Sequence, residues 1–173
     1  CFASYFSVGF YSQDEHFQIL SPVEYLLGIN ENFKNEIWEF SDQYQIRPWF
    51  QSYVYFYIIK FFKLFYIENP FIWTFLLRII SSVFAFASLI FFYSIFKNVF
   101  FKDNNFNRII ILFFFFYPFF HARTSSENLG TSFFIFGFIF FYIFINKKIS
   151  NKNIYNAIIC GLFFGLAIIT RYQ

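Results

Sequence analysis

The run from Phe71 to Phe96 most tightly constrains what this chain can become. It is apolar throughout apart from one charge, Arg78, and a few small polar side chains. As a helix it rises about 1.5 Å per residue, enough to cross a hydrocarbon core of about 30 Å. Two further apolar runs follow, Leu129–Ile145 and Ile154–Thr170. A shorter one, Ile109–Phe120, needs its flanks to span and carries Pro118 near its far end. A chain with this pattern has too little polar side chain to cover a soluble domain. Phe alone supplies 36 of the 173 residues, charged residues are only 13%, and mean hydropathy is +0.51. Disorder is excluded because it needs low hydrophobicity and high charge. A disulfide framework is excluded by two cysteines, of which Cys160 falls inside an apolar run. An all-helical integral membrane protein remains. Its start at Cys1 and its stop just after an apolar run lead us to expect a piece of a longer polytopic chain.

Charge divides the chain in two. Eight of the ten acidic residues lie at or before Glu68. The net charge of +3 is spread too thinly to track nucleic-acid phosphates, so no nucleic-acid partner is expected. We expect residues 1–10 to end a first transmembrane helix and residues 11–52 to form a polar loop with apolar anchors. Residues 53–67 should form an interfacial helix and residues 68–173 a transmembrane bundle. Ser21-Pro22 should open a short helix that closes near Gly28. Lys60 and Lys63 share one face of the 53–67 segment, which suits snorkelling to headgroups. The rival reading extends that segment back to Phe50 as a span. Ser81, Ala85 and Ser88 fall on one helix face, and Gly161 and Gly165 make a small-xxx-small pair. Both patterns suit close helix packing.

Two lysine- and arginine-bearing connectors set the expected orientation: Lys97, Lys102 and Arg108 in one, and Lys147, Lys148 and Lys152 in the other. Two spans separate them, so both share one side, and the positive-inside rule makes it cytoplasmic. With the 53–67 segment interfacial, the 11–52 loop then faces the opposite side, and so do the polar turn 121–128 and Arg171.

Three polar clusters can carry chemistry there. Asp14-Glu15-His16 is the densest group of ionisable side chains. A carboxylate against a low-dielectric surface suits a general base, while the plainer reading is a solvated acidic turn. One contiguous run with no second ligand cluster is a poor metal site, and no metal is expected. Trp38-Glu39-Phe40 and Arg47-Pro48-Trp49 set aromatic rings beside charges. Sugar and headgroup sites use that arrangement, and so does any interfacial segment. In the 121–128 turn, Arg123 and Glu127 are spaced to pair at i, i+4, or Arg123 is free to receive a phosphate. Arg78 is an intramembrane cation and needs a partner or a role.

The order of these motifs resembles a known family. Gln13-Asp14-Glu15-His16-Phe17-Gln18, Ser21-Pro22-Val23-Glu24-Tyr25, Ile37-Trp38-Glu39-Phe40-Ser41 and Ile46-Arg47 resemble the first non-cytoplasmic loop of glycosyltransferase family 22 mannosyltransferases. These act on lipid-linked oligosaccharides and GPI anchors. Ala122-Arg123-Thr124-Ser125-Ser126-Glu127 looks like that family's second motif. This sequence departs from the family pattern at Ser12-Gln13, where a His-Pro pair often stands. It departs again at Ser21-Pro22 and Glu24-Tyr25, and at Ser126. The resemblance implies a truncated multi-span GT-C fold and an inverting transfer of mannose from dolichyl-phosphate mannose or a similar polyprenyl-phosphate donor. The acceptor would be a glycan or glycolipid at the non-cytoplasmic face. It implies Asp14 and Glu15 as the catalytic pair. Arg47, Arg123, Glu127, Arg171, Trp38 and Glu39 are then candidates for donor phosphate or acceptor, with no cofactor. The membrane would be that of the endoplasmic reticulum in a eukaryote and the cytoplasmic membrane in a bacterium. Other readings are a different GT-C transferase, such as a protein O-mannosyltransferase or a bacterial lipid-glycan enzyme, a transporter fragment, or a non-catalytic scaffold. A transporter would bury charges along a path through the spans, yet only Arg78 lies deep.

Overall fold

The computed structural model describes residues 2–6, 15–44, 46–100, 121–146 and 151–170. Among these the secondary structure is helical. Helix α1 is Phe2–Phe6, α2 is Ser21–Leu26, α3 is Phe33–Glu36 and α4 is Phe50–Lys63. Three long helices follow: α5 at Pro70–Phe100, α6 at Ser126–Asn146 and α7 at Asn151–Thr170.

The 11–52 segment is a folded cap over the described range. A π-helical turn, His16–Leu20, leads directly into α2. The wide turn ends just before Pro22, which has no N–H and would crowd the carbonyl four residues back in a regular α-helix. The helix expected to start at Ser21-Pro22 is present. It closes as a Schellman motif: Gly28 has φ +74°, Ile29 N–H donates to the Glu24 carbonyl at 2.9 Å, and Gly28 N–H donates to the Tyr25 carbonyl at 3.0 Å. Ile19, Leu20 and Val23 pack into one core with Tyr55 and Ile59 of α4 and Trp73 and Leu77 of α5. A second cluster stacks Phe33, Phe40 and Trp49 at ring separations of 5.0 to 6.1 Å. These contacts lay the cap onto the start of α4 and the outer end of α5.

Helix α4 begins at Phe50 and ends at Lys63, so the expected 53–67 helix is shifted toward the N-terminus. Its start matches the rival boundary, but fourteen residues rise only about 21 Å, short of a hydrocarbon core. Lys63 lies over the Trp73 ring at 5.0 Å, which occupies it within the fold as well as at a surface. Pro70 opens α5 at its first position, and the Asn69 side-chain oxygen accepts the Phe71 N–H at 2.9 Å. Ser125 caps α6 by accepting the Asn128 N–H at 3.3 Å.

Among the described residues, two helices are long and apolar enough to cross a membrane, Pro70–Lys97 and Ser126–Asn146; Ile154–Thr170 is apolar but shorter. Residues 109–120, most of both basic connectors and Arg171 lie outside the described residues. Ser81, Ala85 and Ser88 are all buried, as their shared face leads one to expect. The glycine expectation needs correcting. A Cβ at Gly161 or Gly165 would meet nothing within 4 Å, whereas one at Gly137 would fall 2.9 Å from the Phe164 ring. The close approach of α6 and α7 is therefore made at Gly137. Phe163 sits on the same interface, stacked against Phe136 and Phe140 at 5.2 and 5.8 Å. The outward faces of the long helices expose Phe86, Ile90, Phe91, Phe134 and Phe141, a surface suited to lipid.

Candidate functional site

Glu15 stands at the centre. The cap holds it at the start of the π-turn, where it is 1% exposed. Its Oε1 accepts the Thr124 backbone N–H at 3.1 Å and the Thr124 hydroxyl at 2.7 Å. Arg123 Nη1 lies 3.7 Å from Oε2, and Arg78 Nη2 lies 3.9 Å from Oε1. Arg123, Thr124 and Arg78 are all buried. A carboxylate at this depth needs charge partners and hydrogen-bond donors together, and Glu15 has both. The solvated-turn reading therefore fails for Glu15. Asp14, next to it in sequence, lies outside the described residues, as does Arg171.

The turn that presents Arg123 and Thr124 is held from behind. Asn128, in the first turn of α6, donates to the carbonyls of His121 and Arg123 at 3.0 and 2.9 Å. Its oxygen lies 2.9 Å from His121 Nδ1. From the other side, Gln51 Nε2 donates to the Thr124 carbonyl at 2.8 Å and to the Tyr55 hydroxyl at 3.1 Å. The Tyr55 hydroxyl lies 3.0 Å from Ser81 Oγ. A continuous string of buried polar groups thus runs from the cap through the 121–125 turn and α4 to α5.

The sequence-derived residues fall into two groups. Glu15 and Arg123 meet. Glu39 and Arg47 meet each other in a two-pronged pair at 3.0 and 3.2 Å, part-buried within the cap. That pairing fixes Arg47 with one carboxylate already in place. Trp38 is exposed at the cap surface, and Glu127 lies in the first turn of α6. Sequence reasoning left Gln51, Tyr55 and Ser81 out, and treated Arg78 and Thr124 only as a lone cation and a motif neighbour. The available signal was weak. Gln51-Ser52 is a polar pair at the head of an apolar helix, and Arg78 needed a partner.

Two cavities adjoin this string. A groove of about 630 Å³ runs between Tyr5, the π-turn and α2 on one wall and the outer turns of α5 on the other. Leu20, Leu27, Trp73 and Leu77 line it, with His16 and Arg78 among its polar groups. A much smaller cavity, about 20 Å³, opens beside Gln51 and Arg47. No group of three His, Cys, Asp or Glu side chains among the described residues is placed to hold a metal ion.

The profile of the Alg9-like mannosyltransferase family matches residues 2–173. The chain belongs to that family. No curated protein and no solved structure matches it. Membership supports a mannosyltransferase activity in general terms, with glycan and lipid-linked sugar substrates. Together with the two apolar helices it points to a membrane protein.

Proposed function

We infer that this chain carries the catalytic-loop part of a mannosyltransferase site that uses a polyprenyl-phosphate mannose donor, of the dolichyl type in a eukaryote. The acceptor is a glycan or glycolipid hydroxyl at the non-cytoplasmic face, and the fold is of GT-C type. The observation that carries the reading is the contact of Glu15 with Arg123 and Thr124, 109 positions apart in sequence for Thr124. It joins the acidic loop to the Arg-Thr turn, the two segments such a transfer must bring together.

The chemistry follows from those groups. Asp14 takes the proton from the acceptor hydroxyl as that oxygen bonds to the anomeric carbon. The bond from that carbon to the phosphate oxygen breaks on the opposite side, inverting the centre and releasing polyprenyl phosphate. Cations near the leaving phosphate stabilise its developing charge, and Arg123, Arg171 and Arg47 are the residues assigned to it. Glu15 is a positioning residue: both of its oxygens are engaged in the buried cluster, so it fixes Arg123 and Thr124 instead of taking the proton. The apolar groove lined by Leu20, Leu27, Trp73 and Leu77 supports the same reading, because it offers an apolar surface for part of a prenyl chain. Neither a metal nor a cofactor enters the proposal.

The test is Asp14→Asn in the full-length protein, with mannose transfer from a polyprenyl-phosphate donor as the readout. Removing a positioned base costs about 10²–10⁴-fold in rate. Transfer should collapse while expression and membrane insertion hold. A variant that transfers at the wild-type rate removes Asp14 from the mechanism, and an activity-independent role such as scaffolding then gains ground.

A further inference from the structure

The turn that joins α4 to α5 holds a strained residue. Among the described residues Tyr66 is the only non-glycine at positive φ, +59°. Helix α4 closes there as a Schellman motif: Tyr66 N–H donates to the Lys63 carbonyl at 3.0 Å, and Ile67 N–H donates to the Phe62 carbonyl at 3.4 Å. The position Tyr66 occupies in that motif is usually glycine, because a Cβ makes the left-handed conformation costly. Ile67 turns inward against the core, and its carbonyl accepts the Trp73 indole N–H at 2.6 Å. Tyr66 turns outward and is 91% exposed, so packing of its ring within the fold does not offset the strain. A strained, bulky residue that the fold does not cover points to a partner outside it. Its neighbours Leu64 and Phe65 are exposed too, as is Phe71 at the start of α5. Phe65 packs edge-on against Phe61 at 5.1 Å, away from the core.

The level of this turn follows from α5. Its apolar stretch Pro70–Lys97 has 28 residues. The rise is about 42 Å. That exceeds a hydrocarbon core of about 30 Å and matches a bilayer of about 40–45 Å with its headgroup regions included. With Lys97 at one surface, Pro70 and the turn before it reach the headgroup region of the other leaflet. The side chains around the turn suit that level. Lys60 and Lys63 are exposed and lie over the Phe56 and Trp73 rings at 5.8 and 5.0 Å, and Glu68 is exposed on the turn itself. Tyrosine favours the headgroup boundary, and lysine stems lie on apolar surface while their charges reach out of it.

We propose that the α4–α5 turn is a membrane anchor: Leu64, Phe65 and Tyr66 insert into the boundary between headgroups and acyl chains of the phospholipid leaflet on the cap side, with Lys60 and Lys63 reaching the lipid phosphates. The inference rests on the membrane reading and goes beyond the spans, because it assigns lipid contact to a connecting turn. Such an anchor fixes the height of α4, whose first turn holds the Thr124 carbonyl through Gln51.

The experiment is nitroxide accessibility in the full-length protein, its native cysteines replaced, in phosphatidylcholine nanodiscs. The labelled variants are Phe65→Cys and Tyr66→Cys on the turn, Glu31→Cys on the exposed cap and Val83→Cys on an exposed position near the middle of the α5 span. Collisions of each label are measured with oxygen, which concentrates in lipid, and with a neutral nickel chelate, which stays in water. Both turn sites should show an oxygen-to-nickel ratio several-fold above that of Glu31→Cys and approaching that of Val83→Cys. A water-like ratio at either turn site overturns the anchor. Low access to both reagents overturns it as well, since the turn is then covered by protein. Phe65 lies on the surface outside the core, so Phe65→Cys decides the matter even if Tyr66→Cys does not fold. A water-like ratio at Val83→Cys refutes the membrane reading instead, and the two failures are distinguishable.

Discussion

Replacing Glu15 by Gln removes one negative charge and almost no volume. The remaining carbonyl can still accept from Thr124, so the substitution isolates the ionic part of the cluster. Two guanidinium nitrogens lie 3.7 and 3.9 Å from the carboxylate. At an effective dielectric constant of about 20, each such separation corresponds to an attraction of about 4 kcal/mol before desolvation is subtracted. All three side chains are buried, so the arginines left behind cannot simply turn to water. Breaking a buried pair from one side costs about 3–5 kcal/mol. That is a large share of a total stability of about 5–15 kcal/mol. For a chain of this size each kcal/mol moves the melting temperature by roughly 2–4 °C. Glu15→Gln in this chain should therefore melt on the order of 10 °C lower, read by intrinsic tryptophan fluorescence in nanodiscs. Glu15→Asp keeps the charge but retracts it by one methylene, and should fall between wild type and Gln. A Glu15→Gln protein that melts within about 2 °C of wild type would show that the carboxylate does not hold the arginines, and the positioning role would fall with it.

Thr124→Val keeps the shape but removes the hydroxyl that Glu15 accepts at 2.7 Å. It should cost about 1.5–3 kcal/mol, as a hydrogen bond to a charged group does, seen in the same thermal assay. Gly137→Leu forces a side chain toward the Phe164 ring and should destabilise the α6–α7 pair by about 1–3 kcal/mol. Gly165→Ala, in open space, should be close to neutral. Lys34 and Asp42 form an exposed pair at 2.6 Å, which raises the Lys34 pKa through the hydrogen bond to Asp42. Lys34→Ala should leave both melting and transfer unchanged, because exposed pairs contribute little. Cysteines placed at Ser41 and Ser150 should label from opposite sides of the membrane; labelling from one side would overturn the orientation drawn from the basic connectors.

The parts of the fold legible in the sequence were those with a local cause. Pro70 after Asn69, Pro22 after Ser21 and Gly28 at positive φ mark helix ends because each solves a backbone problem within a few residues. The small face of Ser81, Ala85 and Ser88 was legible because helical periodicity alone puts them together. The glycine pair in α7 misled for the complementary reason. Spacing says that Gly161 and Gly165 share a face, but only the register between helices decides which face meets a neighbour. Here that register sets Gly137 against Phe164. The start of α4 was misjudged at its polar end, since Gln51 and Ser52 look like loop residues by composition. They are buried because the 121–125 turn and the cap come down on them.

The same distinction sorts the site. Asp14-Glu15 and Arg123-Thr124 were visible as charged clusters, and topology placed both on one face. What no local pattern carries is the division of labour inside the acidic pair. Glu15 is drawn inward by Thr124, Arg123 and Arg78, three residues from two distant segments. Arg78 could be recognised only as a cation in need of a partner, and the partner lies 63 positions earlier in the chain. With Glu15 committed to that buried cluster, the proposed division gives Glu15 the positioning role and leaves the proposed proton transfer to Asp14. The two variants should accordingly differ in kind. Asp14→Asn should lose turnover and keep its melting temperature, whereas Glu15→Gln should lose melting temperature first and turnover only as a consequence.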